Sequence, residues 1–147
     1  MTASDTAVAT QSVGFQIQDV VLLEVSFENF TPLPDEAGFV FTIQIKQDVE
    51  PSSGLVRVLV SADICRSDTE QKVGRVAVGC EYTFPELPTE AVQSNGRLVK
   101  SLTDTLNSIS LSTTRGVIAS VVRGTALHRA ILPIIDPRTL EEIVDSN

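Results

Sequence analysis

The sequence predicts an α+β domain: a four-stranded antiparallel sheet followed by one long and one short helix packed on it. Two observations predict it. From Phe15 to Phe84 apolar and polar residues alternate with a period of two, the spacing of half-buried strands. After Pro85 and Pro88 the period lengthens to that of an amphipathic helix. Because the strands follow one another with short connections, they are expected to pair in sequence order as a meander.

The first strand is read from Phe15 to Glu28, with Phe15, Ile17, Val21, Leu23, Val25 and Phe27 on a buried face and Gln16, Gln18, Glu24, Ser26 and Glu28 on a wet one. Pro32 and Pro34 interrupt it, since proline cannot donate to a sheet ladder. The second strand aligns Phe39, Phe41, Ile43 and Ile45, and Pro51-Ser-Ser-Gly54 is a turn. The third aligns Val56, Val58, Val60, Ala62 and Ile64; the fourth aligns Val76, Val78, Cys80, Tyr82 and Phe84. Helical spacing then links Leu98, Leu102, Leu106 and Ile109, and continues through Val117, Ile118, Val121 and Val122. Serine and threonine give this helix poor intrinsic propensity, so packing must hold it. Gly124 is placed to close it in the left-handed conformation. Ala126 to Asp136 is too apolar for an ordinary loop and is broken by Pro133; Pro137 then suits the first turn of a short helix running to about Asp145.

A chain of 147 residues suits a single domain with its own core, expected over 13–147 behind a disordered tail at 1–12. With no Trp and one Tyr, that core must be mainly aliphatic. A net charge of -8 leaves no basic footprint for nucleic acid. No run of ~20 apolar residues is present, so direct membrane insertion is not expected. The first residues lack a basic start and an apolar run, which points to a cytoplasmic location. Cys65 and Cys80 have no metal or redox spacing. If the third and fourth strands turn near Asp68–Thr69, Cys80 faces Val58 and Cys65 lies on the other face, too poorly placed for a disulfide.

Catalytic chemistry has little to stand on. His128 is the only histidine, no glycine-rich phosphate cradle follows a strand, and Asp63, Asp68 and Glu70 do not have calcium-loop spacing. Glu141-Glu142 reads as the solvated face of a helix. We expect no catalytic residue, no metal and no cofactor.

Phe15-Gln-Ile-Gln18 followed by Val25-Ser-Phe-Glu28 resembles the first strand of the SecB protein-export chaperones. Val122-Arg-Gly-Thr125 and Leu132-Pro-Ile134 resemble the end of that family's first helix and its interhelical loop. The resemblance implies a homotetramer, a dimer of dimers with helices between sheet layers. It implies a non-enzymatic chaperone that holds unfolded preproteins in apolar grooves and passes them to the translocase motor SecA. Carried onto this chain, the groove comprises Phe41, Ile43 and Ile45 of the second strand with Leu127, Ile131, Leu132 and Ile134 of the apolar loop, and Glu24 and Glu28 match acidic positions that contact the motor. Three features depart from the family: Arg75 stands where it has an acidic residue, the final helix is short, and Thr114-Arg115-Gly116 lies, one residue offset, near its Ala-Arg-Glu. Besides export, two other readings are open. One is a chaperone dedicated to a single client, such as an antitoxin; the other is an adaptor using the fold only to oligomerise.

Overall fold

The computed structural model describes residues 14–140. The expected tail at 1–12 and most of the expected final helix lie outside the described residues. Four strands of twelve residues each, β1 (Gln16–Phe27), β2 (Phe39–Glu50), β3 (Leu55–Arg66) and β4 (Lys72–Thr83), form one antiparallel sheet. One long helix follows, α1 (Lys100–Val121), with 3-10 turns at Thr89–Ala91 and Pro137–Thr139.

The strand order is β1-β4-β3-β2, which corrects the expected meander. Strands β2, β3 and β4 do follow one another, but β1 joins the far edge beside β4, giving a Greek key. The segment from Glu28 to Gly38 therefore crosses the end of the sheet. Arg66, 5% exposed, fixes it there. Its guanidinium donates to the carbonyl and hydroxyl oxygens of Thr31, both at 2.8 Å, and to both carboxylate oxygens of Asp68. It also lies 5.8 Å from the centre of the Phe30 ring. Ser67 closes the crossing by exchanging bonds with the backbone of Gly38. The prolines mark the break in the strand, but a lone arginine gives no sequence signal of what clasps the crossing.

The inner rows of the central strands are as expected. Val56, Val58, Val60, Ala62 and Ile64 of β3 and Val76, Val78, Cys80 and Tyr82 of β4 are fully buried. Val58 pairs with Cys80, and both cysteines are free thiols. Gly54 (φ 69°) closes the β2–β3 turn and Gly124 (φ 79°) follows the helix, both in the left-handed region where glycine fits.

Strand β1 departs from strict alternation. Its ladder to β4 slips between Ile17 and Asp19 and again between Leu22 and Glu24, the signature of bulges. Ile17, Val20, Leu22, Val25 and Phe27 therefore sit opposite the inner row of β4, while Val21 and Leu23 turn to the outer face. Leu23 lies over Gly79, with its Cδ1 3.3 Å from where a Cβ would stand. Nor is one face of β1 buried: α1 packs on β3 and β4, and the β1 inner row stays 37–47% exposed.

The face of α1 toward the sheet is more polar than its apolar spacing suggests. Leu102, Leu106, Leu111 and Ile118 are buried there with Asn107, Ser110 and Thr114. Thr114 satisfies its hydroxyl on the carbonyl of Ser110, four residues back. The Ser110 hydroxyl shares a 2.8 Å bond with that of Tyr82, and Asn107 accepts from Gln47 at 2.9 Å. Short polar residues enter this core because each finds a partner inside it.

Candidate functional site

After Gly124 the chain folds back along the helix. A hydroxyl network on Thr125 shapes the first turn: Thr125 donates to the carbonyl of Val122 and accepts from the backbone N–H of Leu127. Arg115 then donates from Nε to the Leu132 carbonyl (2.9 Å) and from its terminal nitrogen to that of Pro133 (3.1 Å). Arg115, within the stretch Thr114-Arg115-Gly116, thus supplies the clamp that holds the returning loop. Pinned this way, the loop sorts its apolar side chains. Leu127, Ala130 and Leu132 are each 1% exposed, whereas Ile131 and Ile134 are 70% and 90% exposed. Leu127 packs against Gly74 of β4, where Phe27 of β1 also arrives.

The seven expected groove residues accordingly fall into three groups. Ile45, Leu127 and Leu132 belong to the core. Phe41 and Ile43 are half-buried on the inner side of β2, at the edge of the sheet. Ile131 and Ile134 face solvent. A cavity of about 640 Å³ separates β2 from the returning chain, walled by Ile45, Gln47 and Val49 on one side and Pro137, Arg138 and Leu140 on the other. Of the seven, Ile45 lines it, and its remaining lining is largely polar, including Thr103 and Asn107. The Gln47–Asn107 pair in its wall gave no sequence signal, because each residue reads singly as an exposed polar position.

Glu24 and Glu28 are separated in role. Glu24 lies on the outer face, 3.3 Å from Arg75, which also binds Asp63 at 2.8 Å; Lys72 meets Asp63 at 3.2 Å. Burial would raise the Asp63 pKa, but Arg75 and Lys72 outweigh it and hold the carboxyl below its ordinary value. Beyond the end of β1, Glu28 is exposed, its backbone N–H bonded to Val73. Arg57 and Glu81, opposite each other on β3 and β4, form another pair on the outer face. On the outer face Glu24, Asp63 and Glu81 are therefore each met by a cation.

Where catalytic or metal chemistry would show itself, the described residues hold no cluster of three or more His, Cys, Asp or Glu side chains able to take a metal ion. His128 is exposed, with Nδ1 3.0 Å from the Thr125 carbonyl. Among the described residues no helix is long and apolar enough to cross a membrane.

No protein-family model matches the chain, and no curated protein does. Among solved structures it is similar to a SecB-like chaperone of Mycobacterium tuberculosis, determined in complex with a ChAD peptide from the HigA1 antitoxin. The two superpose with a TM-score of 0.65 over 82% of this chain and 89% of that one, at 14% sequence identity. The fold is SecB-like. The antiparallel sheet, the long helix and the loop that doubles back along it are thus the SecB-like elements from which any function must be built. At this identity the likeness speaks for architecture, and the side chains speak for the rest.

Proposed function

We propose that this protein is a SecB-like holding chaperone that binds unfolded polypeptide and catalyses nothing. The observation that carries the reading is the clamped loop: Arg115 fixes its backbone while Ile131 and Ile134 stand 70% and 90% exposed in a charged, acidic protein. Apolar side chains held rigidly in water favour a binding surface over loose coil. Phe41 and Ile43, half-buried on the edge strand, offer further apolar surface, and an extended client strand would add its backbone to the free edge of β2. Titrating a labelled, permanently unfolded polypeptide tests this: Ile131→Ser/Ile134→Ser should weaken binding with no loss of melting temperature. Equal binding by the variant sinks the reading.

A homotetramer, as a dimer of dimers, is part of the proposal. The uncovered inner row of β1 calls for a second copy, and Ser108, Ser112, Gly116 and Ser120 give α1 an exposed stripe of small residues against which another helix can approach closely. Sedimentation equilibrium reads the mass directly.

A dedicated client fits better than general export. Arg75 and Lys72 together offset Glu24 and Asp63 on the face that would meet a cationic part of SecA. The client class we favour is a segment such as an antitoxin extension, the kind of partner with which the mycobacterial neighbour was determined. Tight, Glu24-dependent binding to SecA would reverse that preference. One observation favours an adaptor instead: Ile45, Leu127 and Leu132 are filled in by the protein's own core. Under that reading Ile43→Asp disrupts assembly itself, whereas under ours it weakens client binding and leaves the mass unchanged.

A further inference from the structure

The charge of this chain is unevenly distributed. From Thr105 to Ile135 there is no Asp or Glu, although the whole chain holds 19; the same stretch contains Arg115, Arg123, Arg129 and His128. Arg115 is spent on the Leu132 and Pro133 carbonyls. Arg123 and Arg129 are both exposed, and among the described residues neither meets a carboxylate. They flank the turn at 124–128, and Ile131 and Ile134, also exposed, follow two and five residues after Arg129. The nearest acidic residue in sequence, Asp136, is already engaged by Arg138 at 2.8 Å.

We propose that this face, Arg123 and Arg129 beside Ile131 and Ile134, selects client segments that are acidic as well as apolar. The inference rests on the reading above that the loop binds unfolded polypeptide, and it adds the charge of what is bound. Elsewhere an acidic protein repels acidic segments; here a client carboxylate finds two arginines that no described carboxylate meets, in the same exposed stretch as apolar side chains that its neighbours in the client can cover. The arginines lie at the rim in solvent, so their contribution is discrimination and encounter rate rather than bulk affinity.

Three peptides of equal length and apolar content, carrying Asp and Glu, Ser and Gln, or Lys and Arg at the remaining positions, separate the possibilities by fluorescence anisotropy. The acidic peptide should bind the full chain roughly three- to tenfold more tightly than the neutral one, a preference that shrinks as salt is raised. In Arg123→Glu/Arg129→Glu the preference should vanish or invert while the neutral peptide binds as before. Both residues are exposed, so the variant folds, and an unchanged melting temperature verifies it. Equal affinity for acidic and neutral peptides overturns the inference and leaves the client-binding reading standing. Failure of all three peptides to bind overturns both. Two further outcomes also overturn it: a changed oligomeric mass in the variant, which assigns the face to a second copy, and charge-dependent binding to anionic vesicles without peptide discrimination, which assigns it to a lipid surface.

Discussion

Tyr82 joins the sheet to the helix, and removing its hydroxyl tests how that junction is made. The ring is fully buried, with its edge against Phe15 at a centroid distance of 5.9 Å, and the hydroxyl meets Ser110 Oγ at 2.8 Å and the Leu106 carbonyl at 3.4 Å. Tyr82→Phe keeps the ring and its packing. It leaves the fully buried Ser110 hydroxyl without its principal partner and adds no new contact. A buried hydroxyl bond of this kind contributes about 1 to 2 kcal/mol, most of it the penalty of leaving a polar group unpaired. For a domain of this size that lowers the melting temperature by about 3 to 8 °C. Ser110→Ala should cost a similar amount, and the double variant distinctly less than the sum of the two, since neither partner is then stranded. Tyr82 is the only tyrosine and there is no tryptophan, so far-UV circular dichroism rather than fluorescence must follow the transition. Additive single costs, or a Tyr82→Phe protein as stable as the parent, would refute the claim that α1 is held to the sheet through this bond.

The same uniqueness makes the tyrosine titration readable. Burial pushes the Tyr82 hydroxyl up to about 12, so tyrosinate absorbance should appear well above the ordinary tyrosine range; stability should be retained up to about pH 10 and fall as pH climbs through the folded value. Titration at the ordinary value would contradict the burial. At the acid end Arg138 holds Asp136 down at about 2, Arg66 lowers Asp68, and the Arg75–Lys72 pair outweighs the effect of burial on Asp63. Each carboxylate takes up protons less readily when folded, so the stability they lend should persist above about pH 4 and be lost as pH falls toward 2. A melting temperature flat across that window would argue against these pairs. Gly124→Val should cost about 1 kcal/mol from its left-handed backbone alone, because open space surrounds the position; Gly54→Ala should cost more, since its Cβ would fall against the Phe84 carbonyl oxygen. Equal melting temperatures for the two would reverse that ranking. Leu22→Asp, on the uncovered side of β1, should reduce the oligomeric mass while leaving the monomer fold intact.

Legibility in the sequence followed burial. In β3 and β4 both the inner row and the register were readable, down to Val58 opposite Cys80, because a period of two is enforced wherever one face is fully buried. Strand β1 broke the rule: two bulges exchange its faces, and with helix cover absent neither face is held to strict alternation. Its place beside β4 was also hidden, since strand order depends on a crossing clasped by Arg66 and Asp68 onto Thr31, 35 residues from Arg66, all of them individually unremarkable. On α1 the leucines were legible and Ser110 was not, because its partner sits on another element. For the candidate site, the sequence picked out an unusually apolar segment after the helix, which the structure shows as a loop. It did not distinguish Leu127 and Leu132, which turn inward, from Ile131 and Ile134, which turn out; the Arg115 clamp decides that, and it acts through backbone carbonyls that no side-chain pattern encodes.

The central claim is that this SecB-like fold holds unfolded polypeptide, and suppression of aggregation tests it most directly. An aggregation-prone protein is diluted from denaturant with and without stoichiometric amounts of this chain, in the absence of nucleotide, and light scattering is followed. The account predicts reduced scattering that returns when Ile131 and Ile134 are both replaced by serine. Unchanged scattering with the parent protein, repeated with an acidic and apolar client, would contradict it.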